Sequence, residues 1–330
     1  MKKVLIVHSG NETFVKLDKN FLNQKFHIQD FYVKQPFPVN CIKYLQKIPK
    51  TDVVFCWFAS WNSFWAILLS KLFNKPSILV IGGYDLADIP EADYGHQRGG
   101  IKKFFSRWAM RMATTLITNS CYSREEAEKN AQILSSKINV VYHGVPDPFS
   151  GKDEISKENV ALAVGNISWP NLKRKGWEPF VKAASYLPEM QFVMAGKWAD
   201  DSVQYLKSIA ADNVLFPGRV SDDELHRLYL KAKVYVQASL HEGFGMTVAE
   251  SMLAKCIPVV SRNGALPEVV GDCGVYLDDC KPEAIANAIR SIPESNDLGK
   301  RARQRVIKKF PPEKRIELLT TLVKDTLHHK

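Results

Sequence analysis

The chain has 330 residues, enough for two domains of ordinary size that each bury a hydrophobic core. Its hydrophobic (45%) and charged (24%) fractions are typical of a soluble globular protein and exclude a disordered or membrane-spanning chain. No apolar run approaches the roughly 20 residues that cross a bilayer, and MKKVLIVHSG predicts a first strand, not a signal peptide. The formal charge of +10 fits nucleic acid, an anionic membrane surface or phosphorylated substrates.

The cysteines indicate a reducing compartment. Six are present, with no C-x-x-C pair and no Cys/His cluster of zinc spacing. In a chain of this size, such scattered thiols are typical of a cytoplasmic protein in which they stay reduced and mostly buried. The pattern therefore predicts a cytoplasmic location and no structural zinc site.

Short apolar runs alternate with helical patterns along most of the chain. The predicted strands are residues 3–9, 53–58, 77–82, 115–120, 138–144, 160–166, 191–196, 213–218, 234–239, 258–262 and 274–279. Continuous apolar strands separated by helices indicate parallel sheets buried on both faces. Two helix starts have the spacing of a capping box, Ser123 with Glu126 and Ser221 with Glu224.

A polar segment near mid-chain divides this pattern. Residues 143–159, HGVPDPFSGKDEISKEN, are rich in Pro, Gly, Ser and charge and predict a linker. The sequence therefore predicts two α/β domains, 1–148 and 149–310. Because ligands bind outside the carboxyl ends of the strands in open parallel sheets, the turns after the strands are the candidate sites.

The stretch HEGFGMTVAE has the features of an anion-binding turn. Gly243 and Gly245 allow a ligand to approach the backbone, and a helix that begins near Met246 offers free amides to a phosphate. Glu242 at the lip of the turn and Glu250 along the helix are positioned to accept hydrogen bonds from sugar or ribose hydroxyls. The alternative interpretation is a plain glycine turn with two solvated glutamates.

The sequence that follows makes this stretch specific. With IPVVSRNGALPEVV at 257–270, the segment resembles the nucleotide-sugar half of a family 4 retaining glycosyltransferase. The matching positions are Glu242, Gly243, Phe244, Gly245, Glu250, Gly264, Pro267 and Glu268. The resemblance is specific over 160–280 and architectural over 1–150. It implies an α/β fold of the GT-B type, in which two Rossmann-like parallel-sheet domains face a central cleft.

The resemblance also implies a division of labour between the domains. The N-terminal domain would bind the acceptor and the C-terminal domain the nucleotide sugar. The tail, 311–330, would form a helix that crosses back to the first domain.

A second block, VGNISWPNLKRKGWEPFVKAA at 164–184, agrees with this family. Members usually carry an Arg and a Lys here that neutralise the donor diphosphate. Lys175 matches the lysine, whereas Asn166 stands where the arginine is expected. Either Arg174 or Lys173 supplies the missing charge, or Asn166 hydrogen-bonds a phosphate oxygen. A solvated basic loop is the alternative for Lys173 and Arg174.

Further donor contacts are implied by the same resemblance. Gly196 follows a predicted strand, and Arg219 with Val220 lies where members bind the nucleotide base. Ordinary turn chemistry is the alternative at these three positions. Met246 and Thr247, at the start of the helix after EGFG, complete the predicted donor-binding set.

The resemblance assigns roles to the main residues. Glu242 would contact the donor-sugar hydroxyls and position the reacting carbon, and Glu250 would bind the ribose hydroxyls. The fold implied by the resemblance acts without a metal, so Lys175 and the helix dipoles would stabilise the leaving diphosphate, and neither a metal nor a cofactor is expected. The donor would be a UDP-, GDP- or ADP-sugar.

The first domain offers weaker signals. Gly10 lies in the turn His8–Asn11, where members bring glycine near the donor phosphates. The turn 81–95 carries Gly83, Tyr84 and Asp85 near the point where members often have a histidine that touches the donor sugar. We predict these four as acceptor or cleft residues.

Residues 98–112, RGGIKKFFSRWAMRM, form an amphipathic pattern. One helical face carries Ile101, Phe104, Phe105, Trp108 and Met112, and another carries Lys103, Arg107 and Arg111. The helix either lies on an anionic membrane, where related enzymes find lipid-linked acceptors, or packs its apolar face on the sheet. Trp57, Trp61 and Trp65 likewise serve either acceptor stacking or core packing. Nucleic-acid binding is not expected, since no groove-reading motif accompanies the basic charge.

The resemblance implies a retaining glycosyltransferase that moves a sugar to a glycan or lipid-linked acceptor, and we expect it in the cytoplasm or peripherally at the inner face of the membrane. The alternative is a non-catalytic nucleotide-sugar-binding protein of the same fold. A Rossmann dehydrogenase is excluded, because the first predicted strand is not followed by G-x-G-x-x-G.

Overall fold

The structure is a computed structural model that describes residues 1–10, 12–34, 37–151, 155–295 and 297–328. The chain separates into two compact units. The first comprises Met1–Pro90, Tyr94–Gly144 and Pro312–Lys330, and the second comprises Glu91–Asp93 and Val145–Pro311. The division after Gly144 falls a few residues before the predicted boundary at 148.

The first unit contains a parallel sheet in which the described strands follow the order β2-β1-β3-β4-β5-β6. These strands are β1 Lys3–His8, β2 His27–Tyr32, β3 Val53–Trp57, β4 Ser77–Ile81, β5 Thr115–Thr118 and β6 Ile138–Val140. The helices of this unit are α1 Thr13–Asn23, α2 Phe37–Lys47, α3 Trp61–Leu72, α4 Gly100–Met112, α5 Cys121–Ala131 and α14 Pro312–His328.

Helices cover both faces of this sheet. Alternate residues of β1 belong to two different cores: Leu5 packs in the core that includes α2 to α5, and Ile6 packs in the core that includes α1 and α14. Burial on both faces explains why the central strands are continuously apolar. The terminal helix α14 is thus part of the first unit.

The second unit repeats the architecture with the order β12-β11-β10-β7-β8-β9 among its described strands, again all parallel. The strands are β7 Glu158–Val164, β8 Gln191–Ala195, β9 Val214–Gly218, β10 Ala232–Gln237, β11 Ile257–Val260 and β12 Val275–Tyr276. The helices are α6 Trp169–Lys175, α7 Trp177–Ala183, α8 Ser202–Ser208, α9 Asp222–Lys231, α10 Met246–Leu253, α11 Leu266–Val270, α12 Pro282–Arg290 and α13 Asp297–Lys309.

The strand order of the second sheet locates its ligand edge. From β7 the chain first adds β8 and β9 on one side and then returns to add β10 on the other. The crossovers before and after this reversal lie on opposite faces of the sheet, so a crevice opens at the carboxyl ends of β7 and β10. The turns that follow these two strands therefore define the candidate site.

The predicted fold class, with two parallel sheets, is confirmed, and every predicted strand is present. One strand was missed. The segment HIQDFY of β2 lies at an edge of the first sheet and is only partly buried, so its polar residues hide the strand pattern.

Of the two predicted helix caps, the capping box of Ser221 and Glu224 forms as predicted. The proposed cap at Ser123 is wrong: α5 begins earlier, and Ser120 caps it by accepting the Ser123 amide at 3.0 Å. The predicted linker 143–159 is too long at its C-terminal end, because β7 begins at Glu158. Residues 152–154 of this linker lie outside the described residues.

No helix in the described part of the chain combines the length and apolarity needed to cross a membrane.

A buried ion pair attaches α14 within the first unit. Arg315 donates to both carboxylate oxygens of Asp18 on α1, at 2.6 and 2.7 Å, and to the carbonyl oxygens of Val141 and Tyr142. Both charged side chains are almost completely buried. Removing one member of such a pair leaves an uncompensated charge in the interior.

We therefore expect Arg315→Leu to lower the free energy of unfolding by about 3–5 kcal/mol, measured by urea denaturation. The matched control is Arg301→Leu, whose pair with Asp272 is largely exposed and is expected to contribute little because solvent screens it. Equal losses in the two variants would contradict the structural role assigned to the Arg315–Asp18 pair.

Candidate functional site

The site begins at the turn between β10 and α10. After the strand, residues 238–245 turn back toward the sheet edge, and Gly245 caps α10 with a left-handed backbone, φ 98°. The helix starts at Met246 without a side-chain cap. Its first-turn amides therefore point toward the carboxyl edge of the sheet, where they suit an anion.

A second loop fixes the position of Glu242. The Ala265 amide donates to the Glu242 carbonyl oxygen at 2.8 Å. Gly264 adopts φ 65°, and a Cβ there would lie 2.4 Å from the same oxygen. No other residue fits at this position, because the two backbones are in contact. The Gly-x-x-Pro-Glu segment thus buttresses the EGFG turn.

Glu242 and Lys175 form an ion pair at the core of the site. The Lys175 ammonium donates to Oε2 of Glu242 at 3.2 Å, and both side chains are largely buried. Burial raises the pKa of Glu242, but the charges of Lys175 and Arg174 outweigh it, so the pKa lies below its ordinary value. Burial lowers the pKa of Lys175, and Glu242 opposes this shift. The pair therefore presents a carboxylate that stays ionised.

The end of α6 delivers Lys175 to this position. Gly176 closes the helix with φ 69°, and a Cβ there would lie 2.4 Å from the Ala238 carbonyl oxygen. The Leu240 amide donates to the Arg174 carbonyl oxygen at 2.8 Å, which joins α6 to the turn after β10. Residues distant in sequence are thus brought together by backbone contact.

Arg174, one of the two residues predicted to supply the missing charge, makes hydrogen bonds within the site. Its guanidinium donates to Oδ1 of Asn171 at 2.8 and 3.1 Å and to the His241 carbonyl oxygen at 3.4 Å, and the side chain is 9% exposed. Arg174 therefore braces the turn and adds positive potential near Glu242. Lys173 lies exposed on the same helix.

A polar network under the turn was missed by sequence reasoning. Gln237, the last residue of β10, donates from Nε2 to Oε2 of Glu242 at 3.2 Å and to Oγ of Ser239 at 2.7 Å. Its Oε1 accepts from the Tyr235 hydroxyl at 3.2 Å. Gln237 is fully buried. A buried amide in an otherwise apolar strand was the available signal.

Glu250 has an environment unlike that of Glu242. It lies on α10, and its Oε2 accepts from the Tyr229 hydroxyl at 3.2 Å. Burial raises the pKa of Glu250 to about 7; the Tyr229 hydrogen bond opposes this shift and Asp222 adds to it. The two glutamates of the motif are therefore in different electrostatic states, because only Glu242 has a cationic partner.

The other predicted donor-binding residues lie at the carboxyl ends of neighbouring strands. Asn166 follows β7 and is exposed, while its carbonyl oxygen accepts from Asn171 and from the Trp177 indole. Gly196 follows β8. Arg219 and Val220 follow β9, the former exposed and the latter half-buried.

Of the remaining residues in and after the EGFG turn, one is buried and three are half-buried. Phe244 is buried and packs edge-on against Phe310, with ring centroids 5.2 Å apart, so its ring serves the core and only its backbone lies in the turn. Gly243 in the turn and Met246 and Thr247 at the start of α10 are half-buried.

The predicted residues of the first unit lie at the carboxyl edge of its own sheet. Gly10 follows β1, and its carbonyl oxygen lies 2.5 Å from Nδ1 of His8. Asn11, in the same turn, lies outside the described residues. Gly83 has no atom within 4 Å of an added Cβ. Tyr84 is exposed and makes edge contacts with Tyr94 and His96.

Asp85 does not face solvent. It is 1% exposed, and its carboxylate accepts the Ala59 amide at 2.9 Å and the Gly82 amide at 3.1 Å. Burial raises the pKa of Asp85 to about 6, and these backbone hydrogen bonds oppose the shift. Asp85 therefore shapes the turn after β4, and its carboxylate is buried within that turn.

Taken as chemistry, the second-unit site combines helix amides, a buried cation and two carboxylates at one sheet edge. Amides and Lys175 suit a phosphate, whereas carboxylates suit hydroxyl groups. A ligand that carries both groups, such as a phosphorylated sugar, fits this arrangement.

Comparisons with known proteins agree with this chemistry. The family model described as Glycosyl transferases group 1 matches residues 148–325. The chain is 28% identical over 207 residues to the O-antigen chain mannosyltransferase RfbU of Salmonella typhimurium, covering 60% of this chain and 57% of the relative. It is 30% identical over 206 residues to O-antigen chain mannosyltransferase B of Escherichia coli, covering 56% and 53%. The matches thus span little more than half the length of these curated relatives.

A solved structure agrees over the whole chain. Alr3699/HepE of Anabaena, crystallised with UDP and glucose, superposes with a TM-score of 0.79 at 16% identity, covering 98% of this chain and 100% of that one. At this identity the likeness shows the fold alone. It confirms the predicted fold class, two Rossmann-like parallel-sheet units of the GT-B type.

The raised pKa of Glu250 gives a test of the site in the free protein. The folded protein holds this proton more tightly than the unfolded chain does, so the stability that it contributes is complete below the ordinary glutamate value of 4.5 and is lost as the pH rises through about 7. Glu250→Gln removes the titration. We expect the variant to gain thermal stability relative to the wild type above about pH 7 and not near pH 5.

Thermal melts across this range check the expectation. Glu189→Gln, at an exposed position outside the site, is the control and should follow the wild type at every pH. If Glu250→Gln and the wild type keep a constant difference in Tm from low to high pH, Glu250 does not titrate as described.

Proposed function

The chain belongs to the glycosyl transferases group 1 family, and from this premise we propose that it is a glycosyltransferase. It moves a sugar from a nucleoside-diphosphate sugar to a glycan or lipid-linked acceptor and retains the anomeric configuration. The observation that carries the proposal is the ion pair of Glu242 with Lys175 beside the uncapped start of α10.

The chemistry of transfer explains why these groups are needed. The bond between the anomeric carbon and the diphosphate oxygen breaks, a bond to an acceptor hydroxyl oxygen forms, and the hydroxyl proton passes to the departing diphosphate. Negative charge therefore develops on the departing diphosphate, where preorganised donors are most effective. We assign this stabilisation to Lys175 and the first amides of α10, with Asn166 as a neutral hydrogen-bonding partner, and propose that no metal ion is required.

The two glutamates bind different parts of the donor in this proposal. Glu242, held ionised, accepts hydrogen bonds from the sugar hydroxyls and positions the reacting carbon. Glu250 accepts the two ribose hydroxyls, and its ionised form is the better acceptor. Arg219 and Val220 border the base. The similarity to two mannosyltransferases makes a mannosyl donor the first to test.

We propose that the first unit binds the acceptor. Gly10, Gly83 and Tyr84 lie at the carboxyl edge of its sheet, where parallel sheets bind ligands. For a lipid-linked acceptor, residues 98–112 would contact the anionic membrane surface that presents it. The cytoplasmic location stays a prediction from the cysteine pattern.

Calorimetry with UDP-glucose, GDP-mannose and ADP-glucose, followed by an assay for nucleotide release in the presence of EDTA, tests the proposal. Binding of one donor with slow hydrolysis is the expected result. Binding without turnover on any acceptor would instead favour a non-catalytic nucleotide-sugar-binding protein, an alternative that Asn166 in place of arginine keeps open.

Substitutions should separate the two roles. We expect Glu242→Gln and Lys175→Met each to lower kcat about 10²–10³-fold, since each removes a preorganised charge from the transition state. Glu250→Gln should mainly weaken donor binding, by about tenfold, because it loses a charge-assisted hydrogen bond. Steady-state kinetics and calorimetry measure the two effects. Glu189→Gln serves as the control, and full activity in Glu242→Gln would refute the assignment.

Donor binding should also depend on pH through Glu250. Because burial raises the pKa of Glu250 to about 7, the carboxyl becomes neutral as the pH falls below that value. The donor Kd is therefore expected to rise with acidity, by at most about tenfold per pH unit, and to level off above about pH 8. In Glu250→Gln the same titration should be flat in this range. A flat wild-type profile would separate Glu250 from ribose binding.

A further inference from the structure

Three of the five residues on the apolar face predicted for 98–112 are exposed, while Phe105 and Met112 are half-buried. Ile101, Phe104 and Trp108, which share one side of α4, are 69%, 53% and 43% exposed. The helix packs on the sheet through a different side, which buries Ala109 and Met110. The predicted stripe is therefore divided: Met112 packs against the core under the sheet, whereas Ile101, Phe104 and Trp108 stay exposed.

The exposed stripe continues onto α3. Phe105 of α4 packs edge-on against Trp61, with ring centroids 4.1 Å apart, and Trp61 in turn contacts Trp65 at 5.8 Å. Leu72 extends the same side of α3 at its far end and is exposed. Trp57, by contrast, is buried in β3, so the three tryptophans divide between core and outer layer.

A third helix extends the face. Ile42 and Leu45 are exposed on α2, and the Tyr44 hydroxyl of that helix donates to the Asn62 carbonyl oxygen at 3.2 Å, which joins α2 to α3. All three helices bury residues in the same core, so they lie side by side on one face of the sheet. We call their outer surface the α2–α4 face; its exposed apolar residues are Ile42, Leu45, Trp61, Leu72, Ile101, Phe104 and Trp108.

The charge of the α2–α4 face has one sign. None of the three helices contains Asp or Glu, although the chain has 35 acidic residues among 330. Their basic residues are Lys43, Lys47, Lys71, Lys102, Lys103, Arg107 and Arg111. Arg107 of the predicted stripe is engaged internally with Gln97 and Asn130, whereas Lys71, Lys102 and Arg111 lie exposed. The next helix of the layer, α5, carries three glutamates, so the acid-free region ends there.

We infer that the α2–α4 face docks on the surface of an anionic lipid bilayer. Aromatic and aliphatic side chains insert at the boundary between head groups and acyl chains, while Lys and Arg attract anionic lipids. The inference rests on the proposed function only in the choice of a lipid-linked acceptor, and it widens the contact from residues 98–112 to three helices. A symmetric contact between two copies would oppose like charges, which disfavours self-association as the explanation.

Vesicle flotation of the full chain tests the docking. Vesicles of equal parts phosphatidylglycerol and phosphatidylcholine are compared with pure phosphatidylcholine at about 0.15 M salt. We expect binding to the anionic vesicles alone. Phe104→Ser/Trp108→Ser should weaken this binding at least about tenfold, since two large side chains no longer insert. Lys103→Gln/Arg111→Gln should weaken it and reduce its dependence on salt.

Matched controls alter exposed residues elsewhere. Leu134→Ser/Ile307→Ser and Lys129→Gln/Lys137→Gln should bind as the wild type does. Absence of wild-type binding to anionic vesicles would overturn the inference, as would equal losses in the control pairs. If light scattering shows a dimer that Phe104→Ser/Trp108→Ser dissociates, the face binds a second copy and the inference is overturned. If that variant binds vesicles as the wild type does, binding is general charge attraction without insertion, which also overturns the inference.

Donor hydrolysis without vesicles keeps the two proposals apart. The α2–α4 face variants should hydrolyse the donor as the wild type does, because the altered residues lie outside the donor-binding set. Vesicle binding by a chain that hydrolyses no donor would sink the enzymatic proposal and leave the docking intact. Donor hydrolysis by a chain that does not bind vesicles would support the enzymatic proposal and overturn the docking inference.

Discussion

The ion pair between Glu242 and Lys175 is the interaction on which the second-unit site depends. A charge buried at a sheet edge requires a partner, and the partner must arrive from another strand connection. The fold meets this requirement at the point where the strand order reverses, since the turns after β7 and β10 are neighbours there. The backbone contacts of Gly264 and Gly176 then leave little freedom in how the two side chains meet.

The contrast between the two glutamates has a physical origin of its own. Glu242 pairs with the Lys175 ammonium and accepts from the side-chain amide of Gln237, so it stays ionised although it is buried. Glu250 receives one hydroxyl from Tyr229, and that is too little to offset burial. The ionised carboxylate of Glu250 therefore has too few hydrogen-bond donors in the free protein, which lowers the stability of the site. The hydroxyl groups of a bound sugar would supply these donors.

The sequence pattern predicted much of the fold, and each wrong or missed prediction has a physical reason. Continuous apolar strands identified the buried strands of both sheets, because burial on two faces leaves no polar alternation. The strand β2 escaped notice because an edge strand half exposed to water tolerates His27, Gln29 and Asp30. The cap of α5 was misplaced because only Ser123 has a glutamate three residues later, whereas the residue that caps the helix, Ser120, is followed at that spacing by Ser123.

By itself the sequence determined what depends on neighbours along the chain: the strand rhythm, the glycines of the EGFG turn, the spacing of Glu242 from Glu250, and the lysine before Gly176. Only the tertiary structure decided what depends on residues far apart in sequence. It turned Arg174 toward Asn171, buried Asp85 in its own turn, placed Gln237 under Glu242 and left Ile101, Phe104 and Trp108 of α4 exposed. The reason is that helical or strand periodicity fixes which residues share a face, whereas the element that packs against that face comes from elsewhere in the chain.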